Sequence, residues 1–386
     1  MAQLSAADPT LPPLNDAERL AWLRLIRSEH VGPISFRRLI ERFGTARAAL
    51  AALPELKRRG GARPHVYTAA EAEAELARAE AVGARLLAWP DPHYPPLLLA
   101  IDDAPPVIYV LGRVERLAAD PVVAIVGSRN ASLNGRRLAE HLAHDLGAAG
   151  CTVVSGLARG IDTAAHRGSL ATGTVAVLAG GVDAVYPDEN RDLYRQILAS
   201  DGAIVSEQPP GTEAQARHFP RRNRLISGLA RAVIVVEASL HSGSLITARL
   251  ALEQGRDVFA VPGSPLDPRA RGGNDLIRQG ACLTETAEDV LRTLSTRPRP
   301  PAEAAVPTMT FGVPPPSAAE LTSAQSMIEA LLSVEPVAVD DVVRGCHLSP
   351  AVVNTILLEL ELAGRIERYP GNRIALTAVM LEGKSV

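Results

Sequence analysis

Glycine, serine, arginine and one phenylalanine recur where apolar runs of this sequence give way to helix-forming stretches. Two strings, 64 residues apart, hold most of them: Ser155-Gly-Leu-Ala-Arg-Gly-Ile-Asp162 and Phe219-Pro-Arg-Arg-Asn-Arg-Leu-Ile226. Glycine lets a ligand come close to the backbone. Arginine holds an oxyanion through paired N–H donors, and an aromatic ring offers a face to a base. The chemistry is retention of a phosphate backbone with a base stacked beside it, which needs no nucleophile and no metal.

Each cluster is ordered along the chain. The run Val122–Val126 ends in Gly127-Ser-Arg-Asn130, ahead of a helix expected to start near Asn134. Arg129 thus stands beside a helix N-terminus, which favours anions. No GxGxxG follows this run and no GxxxxGK[ST] occurs anywhere, so neither a dinucleotide site nor a P-loop is supported. The next run ends in Ser155-Gly156, and Arg159 lies between Gly156 and Gly160 in a tight loop. Asp162 reads as a helix-capping residue and His166 as an ordinary hydrogen-bonded histidine. They do not read as a triad with Ser155, because G-x-S-x-G is absent.

In the later string, Pro220 suits the first turn of a helix, with Phe219 just outside it and Leu225, Ile226 and Leu229 as the apolar stripe. At about 100° per residue, Arg224 and Arg231 point away from that stripe. Arg222 falls on the stripe's side at the helix mouth, where it needs an anion or a carboxylate. Phe219 has two readings, a stacking platform or a hydrophobic staple for the helix. Downstream, Glu237 ends a strand and is placed to pair with an arginine, Ser242-Gly-Ser-Leu-Ile-Thr247 opens a helix with small donors, and Gly272-Gly-Asn-Asp275 opens another.

The elements that must position these residues follow from the pattern. Val122–Val126, Thr152–Val154, Thr174–Leu178, Ala203–Val205, Val233–Val236 and Val258–Val261 are short apolar runs, mostly separated by helical stretches. Such runs are buried on both faces and parallel. The alternation predicts a doubly wound α/β sheet, whose ligands sit at the strands' C-terminal ends. Residues 1–14 read as a disordered lead. Residues 15–84 read as a helical domain, in which Val31-Gly-Pro33 looks like a helix-hairpin-helix turn, with a plain small helical bundle as the favoured alternative, and a strand follows at Arg85 to Ala88. The α/β domain runs over 85–294. Residues 295–320 hold seven prolines and read as an extended linker. Residues 321–386 form a last domain, with helices near Ser323–Leu332, Val339–Val343 and Pro350–Ala363 and a hairpin of Arg365–Tyr369 and Arg373–Leu376, the order of a winged helix. Its third helix carries Glu359 and Glu361 and no lysine or arginine, unlike a major-groove reader. Arg365, Arg368 and Arg373 of the wing remain as phosphate contacts. A protein contact or a weak backbone contact is the expected role, and a sequence-specific regulator is disfavoured.

Composition bounds the rest. The 386 residues are 47% apolar but only 3% aromatic, so the core is built from Ala, Val, Leu and Ile. The net charge of -3 argues against a broad basic face for duplex DNA, so anion binding must be local. Cys151, Cys282 and Cys346 form no CxxC pair and read as small buried hydrophobes in a reducing compartment. The first twenty residues lack a basic and an apolar region of a signal peptide, and no run of about 18 apolar residues exists to span a membrane. A cytoplasmic location is expected.

At Tyr94-Pro95, Gly127-Ser-Arg129, Ser155–Asp162, Phe219–Arg224, Ser242–Thr247, Pro262-Gly263 and Gly272-Gly-Asn-Asp-Leu-Ile277, in that order, the chain resembles the DNA-processing protein A (DprA/Smf) family over about residues 85–293. The resemblance implies an extended Rossmann fold and single-strand DNA binding without sequence preference. It also implies a homodimer, loading of RecA during natural transformation, and no cofactor, metal or catalysis. Carried over by position, the DNA pocket falls on Gly127, Ser128, Arg129, Gly156, Arg159, Gly160, Phe219, Arg222 and Asn223. Arg224 is added from the same string, and Glu237, Ser242, Thr247 and Asn274 act in support. The competing reading is a phosphoribohydrolase-like enzyme on a similar sheet. Those enzymes carry PGGxGTxxE with a catalytic glutamate, whereas Ser242-Gly-Ser-Leu-Ile-Thr-Ala-Arg249 has none until Glu253.

Overall fold

The structure is a computed structural model that describes residues 14–59, 65–296, 318–369 and 372–377. Residues 1–13 of the expected lead 1–14 and 297–317 of the expected linker 295–320 lie outside the described residues, while the linker's two ends, 295–296 and 318–320, are helical. Among the described residues no helix is long and apolar enough to cross a membrane.

Four helices come first: α1 (Asp16–Arg27), α2 (Pro33–Phe43), α3 (Ala46–Arg59) and α4 (Ala69–Ala81). The side chain of Asn15 caps α1 by accepting the Glu18 N–H at 2.9 Å. Pro33 opens α2, where its missing N–H costs nothing. Trp22 of α1 and Phe36 of α2 meet edge-on, with centroids 4.9 Å apart.

The α/β portion follows in chain order: β1 (Arg85–Ala88), α5 (Pro96–Leu99), β2 (Val107–Gly112), β3 (Val122–Val126), α6 (Leu133–Ala148), β4 (Thr152–Ser155), α7 (Ile161–Ser169) and β5 (Thr174–Val177). It continues with α8 (Arg191–Ala199), β6 (Ala203–Ser206), α9 (His218–Leu229), β7 (Ala232–Val235), α10 (Gly243–Glu253), β8 (Asp257–Ala260), α11 (Arg271–Arg278), β9 (Cys282–Leu283) and α12 (Ala287–Thr296). These strands form one sheet in the order β1-β2-β6-β5-β4-β3-β7-β8-β9. β6 through β9 pair in parallel, while β1–β2 and β2–β6 are antiparallel.

The six apolar runs read from the sequence are all strands. β2 was not anticipated. It is apolar like the parallel strands, but no helix precedes it at βαβ spacing, so the alternation pattern carries no signal for it. One apolar cluster packs α6, α7 and α12 on β3, β4, β7 and β8, and another packs α8 against β2, β5 and β6. Cys151 lies in the first cluster, but Cys282 is exposed, against expectation, because β9 is a two-residue edge strand.

The last elements are α13 (Ala318–Leu331), β10 (Val337–Ala338), α14 (Val339–Cys346), α15 (Pro350–Leu362), β11 (Ile366–Tyr369) and β12 (Arg373–Leu376). Three helices and a small sheet in the order β10-β12-β11 make a winged helix around Ile328, Val342, Ile356, Leu360 and Ile374. Residues 15–72 and this winged helix belong to one compact unit, and residues 73–296 to another. Within the first, α15 packs on α2 and α3, and Arg38 Nη2 donates to Asn354 Oδ1 at 2.8 Å. Two wing arginines expected to meet phosphate are already paired: Arg365 with Glu329 at 2.6 Å and Arg368 with Glu361 at 2.8 Å.

Candidate functional site

The sheet reverses its winding between β3 and β7, where α/β sheets open a crevice at the carboxyl ends of the strands. A cavity of about 440 Å³ occupies this point. Four segments wall it: the Gly127–Asn130 loop after β3, Ala158 and Asp162 after β4, the start of α10 from Ser242 to Thr247, and the start of α9 at Phe219, Arg222 and Asn223. α10 brings its N-terminus to the cavity, with Ser242 as its cap accepting the Ser244 N–H, and a helix N-terminus favours an anion. Asn223 Nδ2 donates to Gly243 O at 3.4 Å and ties the two helix mouths together.

A second cavity, of about 330 Å³, shares the wall formed by Arg129, Asn130, Phe219 and Arg222. Its other side is Gly156 and Arg159 after β4, with Tyr186 and Pro187 after β5. Arg129 lies with its guanidinium carbon 4.9 Å from the centroid of the Phe219 ring, and that of Arg222 lies at 6.0 Å. Phe219 meets Tyr186 edge-on, with centroids 5.6 Å apart. α9 begins at His218, so Phe219 stands in its first turn and not just outside it. The proline two residues into the helix does not mark its first residue.

Arg222 is the buried cation of the site. It is 6% exposed, and its Nε has no hydrogen-bond partner. Burial lowers its pKa to about 10, against the favourable charge of Asp162 and with the unfavourable one of Arg129. Asp162 is also buried, and burial raises its pKa against the pull of Arg222. Asp162 Oδ2 accepts the N–H groups of Gly156 at 3.1 Å and Ala158 at 3.3 Å, so it shapes the loop after β4 besides opening α7. A Cβ on Gly156 would stand 1.5 Å from Arg222 Nη1. Gly160 has φ +79, and a Cβ there would lie 2.2 Å from Ser128 O. Gly160 lets the loops after β3 and β4 close on one another, and Gly156 lets Arg222 of α9 reach the loop after β4.

His166 donates from Nδ1 to Thr174 Oγ1 at 2.9 Å, since the threonine hydroxyl itself donates to Val153 O at 2.8 Å. Burial and the nearby Arg222 depress its pKa to about 3, so it is neutral. Ser155 Oγ donates to Ile125 O at 2.6 Å, and no triad forms.

The other expected residues divide. Gly127, Ser128, Ser242 and Thr247 line the first cavity, and Arg159, 61% exposed, lines the second while pairing with Glu189 at 2.5 Å. Arg224 lies elsewhere. It is 6% exposed, pairs with Glu207, and donates to Asp103 O at 2.5 Å. Its expected place among the DNA-pocket residues is not met, because a carboxylate-lined slot beside α9 takes it in. Glu237 accepts from Ser132 N–H at 2.9 Å and from Ser132 Oγ at 2.5 Å, where an arginine had been expected. Asn274 braces Gly263 through both its N–H and its C=O, at 3.1 and 2.8 Å. Tyr186 was missed. The available signal was a rare aromatic in a strand-end loop of a chain with six tyrosines and five phenylalanines.

A mostly parallel sheet with arginines and an aromatic pair gathered at its switch point, accompanied by helical and winged-helix modules, defines a Rossmann-like protein with a cationic crevice at its strand ends. The chain belongs to the family described as DNA recombination-mediator protein A, whose model matches residues 85–295. The DprA-like N-terminal HHH domain matches residues 16–79, and the DprA winged helix domain matches 313–372. Protein Smf of Synechocystis is 34% identical over 93% of this chain and 98% of its own length. Protein Smf of Escherichia coli is 42% identical over 73% of this chain and 75% of its own. DprA of Streptococcus pneumoniae, a solved structure, superposes with TM-score 0.61 at 35% identity, covering 72% of this chain and 98% of that one. DprA of Helicobacter pylori, whose structure is described as giving a single-stranded DNA binding mode, superposes with TM-score 0.51 at 28% identity, covering 55% of this chain and 96% of that one.

Proposed function

We propose that this protein binds single-stranded DNA without sequence preference at the two cavities and passes it to RecA in natural transformation, acting as a homodimer in the cytoplasm and without catalysis. The carrying observation is the cluster of Arg129, Phe219 and Arg222 around the helix mouths at the β3–β7 reversal. Arginine and backbone donors meet phosphate, and every base has a π-face for an aromatic partner, so affinity comes without sequence readout. The description of the Helicobacter pylori relative's structure supports the single-strand reading. Asp162, the carboxylate lining the first cavity, is engaged by two loop amides, and Glu253 is exposed beyond the cavity lining, so neither favours hydrolysis.

The test is fluorescence anisotropy with mixed-sequence single-stranded and duplex oligonucleotides, comparing the wild type with Arg129→Ala. The expected result is a preference for the single strand and a weaker variant whose salt slope is shallower by about 0.7, one phosphate's worth on a single strand. No single-strand preference, or an indifferent Arg129→Ala, would overturn the reading. Turnover of nucleoside monophosphates would move the enzyme to the front.

A further inference from the structure

We propose that the cavity between Tyr186 and Arg159 is a second nucleotide subsite, in which the next base of the same strand stacks on Tyr186 and its phosphate meets Arg159. The inference rests on the single-strand reading above and deepens it.

Three observations carry it. First, the two aromatic rings are not equally available. Phe219 is partly buried, with Arg129, Arg222 and Tyr186 against it, whereas Tyr186 is 53% exposed. A base seeking an open π-face on this surface finds it on the tyrosine. Second, the Tyr186 side has its own cavity of about 330 Å³, within the roughly 300–1,000 Å³ range of small-ligand sites. It is continuous in its lining with the first through Arg129, Phe219 and Arg222. A strand can therefore pass from one to the other across a shared cationic wall. Third, the cation on the far side is positioned. Glu189 holds Arg159 at 2.5 Å, with both side chains 61% exposed. An ion pair in that setting contributes little to stability. The guanidinium lines the cavity all the same, and the pair leaves other N–H groups for phosphate. Buried Arg222 completes the charge from below.

The rings' edge-to-face contact makes Tyr186 a continuation of the Phe219 platform, reached by a different strand-end loop. The two bases then rest on α9 and on the loop after β5, with Arg129 and Arg159 of the loops after β3 and β4 beside them, which extends the site along the sheet edge.

The test uses the full chain and a labelled oligothymidylate carrying one 5-iodouracil, with wild type, Tyr186→Ala, Tyr186→Phe and Arg222→Ala compared by anisotropy and by photocrosslinking. Expected are a loss of about five-fold or more for Tyr186→Ala with an unchanged salt slope, the lower end of one base–aromatic stack. Tyr186→Phe should bind within two-fold of wild type, and the crosslinked peptide should contain Tyr186. The thermal midpoint of Tyr186→Ala should match wild type, since the ring is exposed. If Tyr186→Ala binds as wild type while Arg222→Ala is weakened, the subsite is wrong and the single-strand reading stands. If the wild type itself binds no single strand, both fall.

Discussion

His166 is a buried base kept neutral, and this makes acid sensitivity a property of one side chain. Its pKa is depressed from the usual 6.5 to about 3, so below pH 6.5 the unfolded chain takes up a proton that the folded one refuses. Stability contributed by the neutral ring is intact above pH 6.5 and drains as pH falls toward 3, at up to about 1.4 kcal/mol per pH unit. Asp162, whose pKa is raised by burial, works in the opposite direction, but it is common to wild type and variant. The thermal midpoint of wild type should therefore fall faster between pH 7 and pH 4 than that of His166→Gln. Parallel curves would show that His166 is not the titrating group. At this scale the sequence was informative about type and poor about partner. Arg222 was legible because an arginine on an apolar stripe has few explanations. Arg224 was not, because the carboxylate that takes it in, Glu207, lies 17 residues back and meets it only through the fold. Glu237 failed likewise: its partner Ser132 is 105 residues away.

Elements do the positioning. β4 ends where α9 begins to cross, and the contact between them is a glycine against a guanidinium. A methyl on Gly156 must push the far end of Arg222 aside, which a flexible side chain can do without unfolding the sheet. Gly156→Ala should lower single-strand affinity as Arg222→Ala does. The double variant should be no worse than Arg222→Ala alone, since both act through one group. Additive losses would mean that Gly156 serves the ligand by itself. Alternation of apolar runs with helices made the parallel strands readable, because burial on both faces leaves an uninterrupted apolar string. The antiparallel β2 escaped because its pairing with β6, Val110 against Val205, joins positions 95 apart in the chain and leaves no local period to detect. The glycine–arginine strings were readable for a related reason: strand-to-helix turns need particular residue types, and those types stand close together in the chain.

On the scale of the whole molecule, the winged helix does not present its third helix as a free reading head. Leu358 and Leu362 of α15 are 3% and 0% exposed, yet both lie outside the winged helix's own apolar cluster. α15 packs on α2 and α3, Arg38 hydrogen-bonds Asn354, and Glu361 is buried with Arg368. The absence of basic residues on this helix, evident from the sequence, has its physical reason in that packing. An apolar and acidic face suits a protein neighbour and repels phosphate. The proline-rich stretch between the sheet and the winged helix reads as an extended linker, and no local pattern could reveal a partner some 300 residues upstream. If the helical and winged-helix parts share one core, removing a side chain from α15 should loosen both. Leu362→Ala is expected to cost about 2–5 kcal/mol, as burial this complete implies. Hydrogen exchange should quicken together in α1–α3 and in α13–α15, as one cooperative unit would show. Acceleration confined to residues 318–377 would mean instead that the winged helix folds on its own and that its docking on α2 and α3 adds nothing to the stability of either.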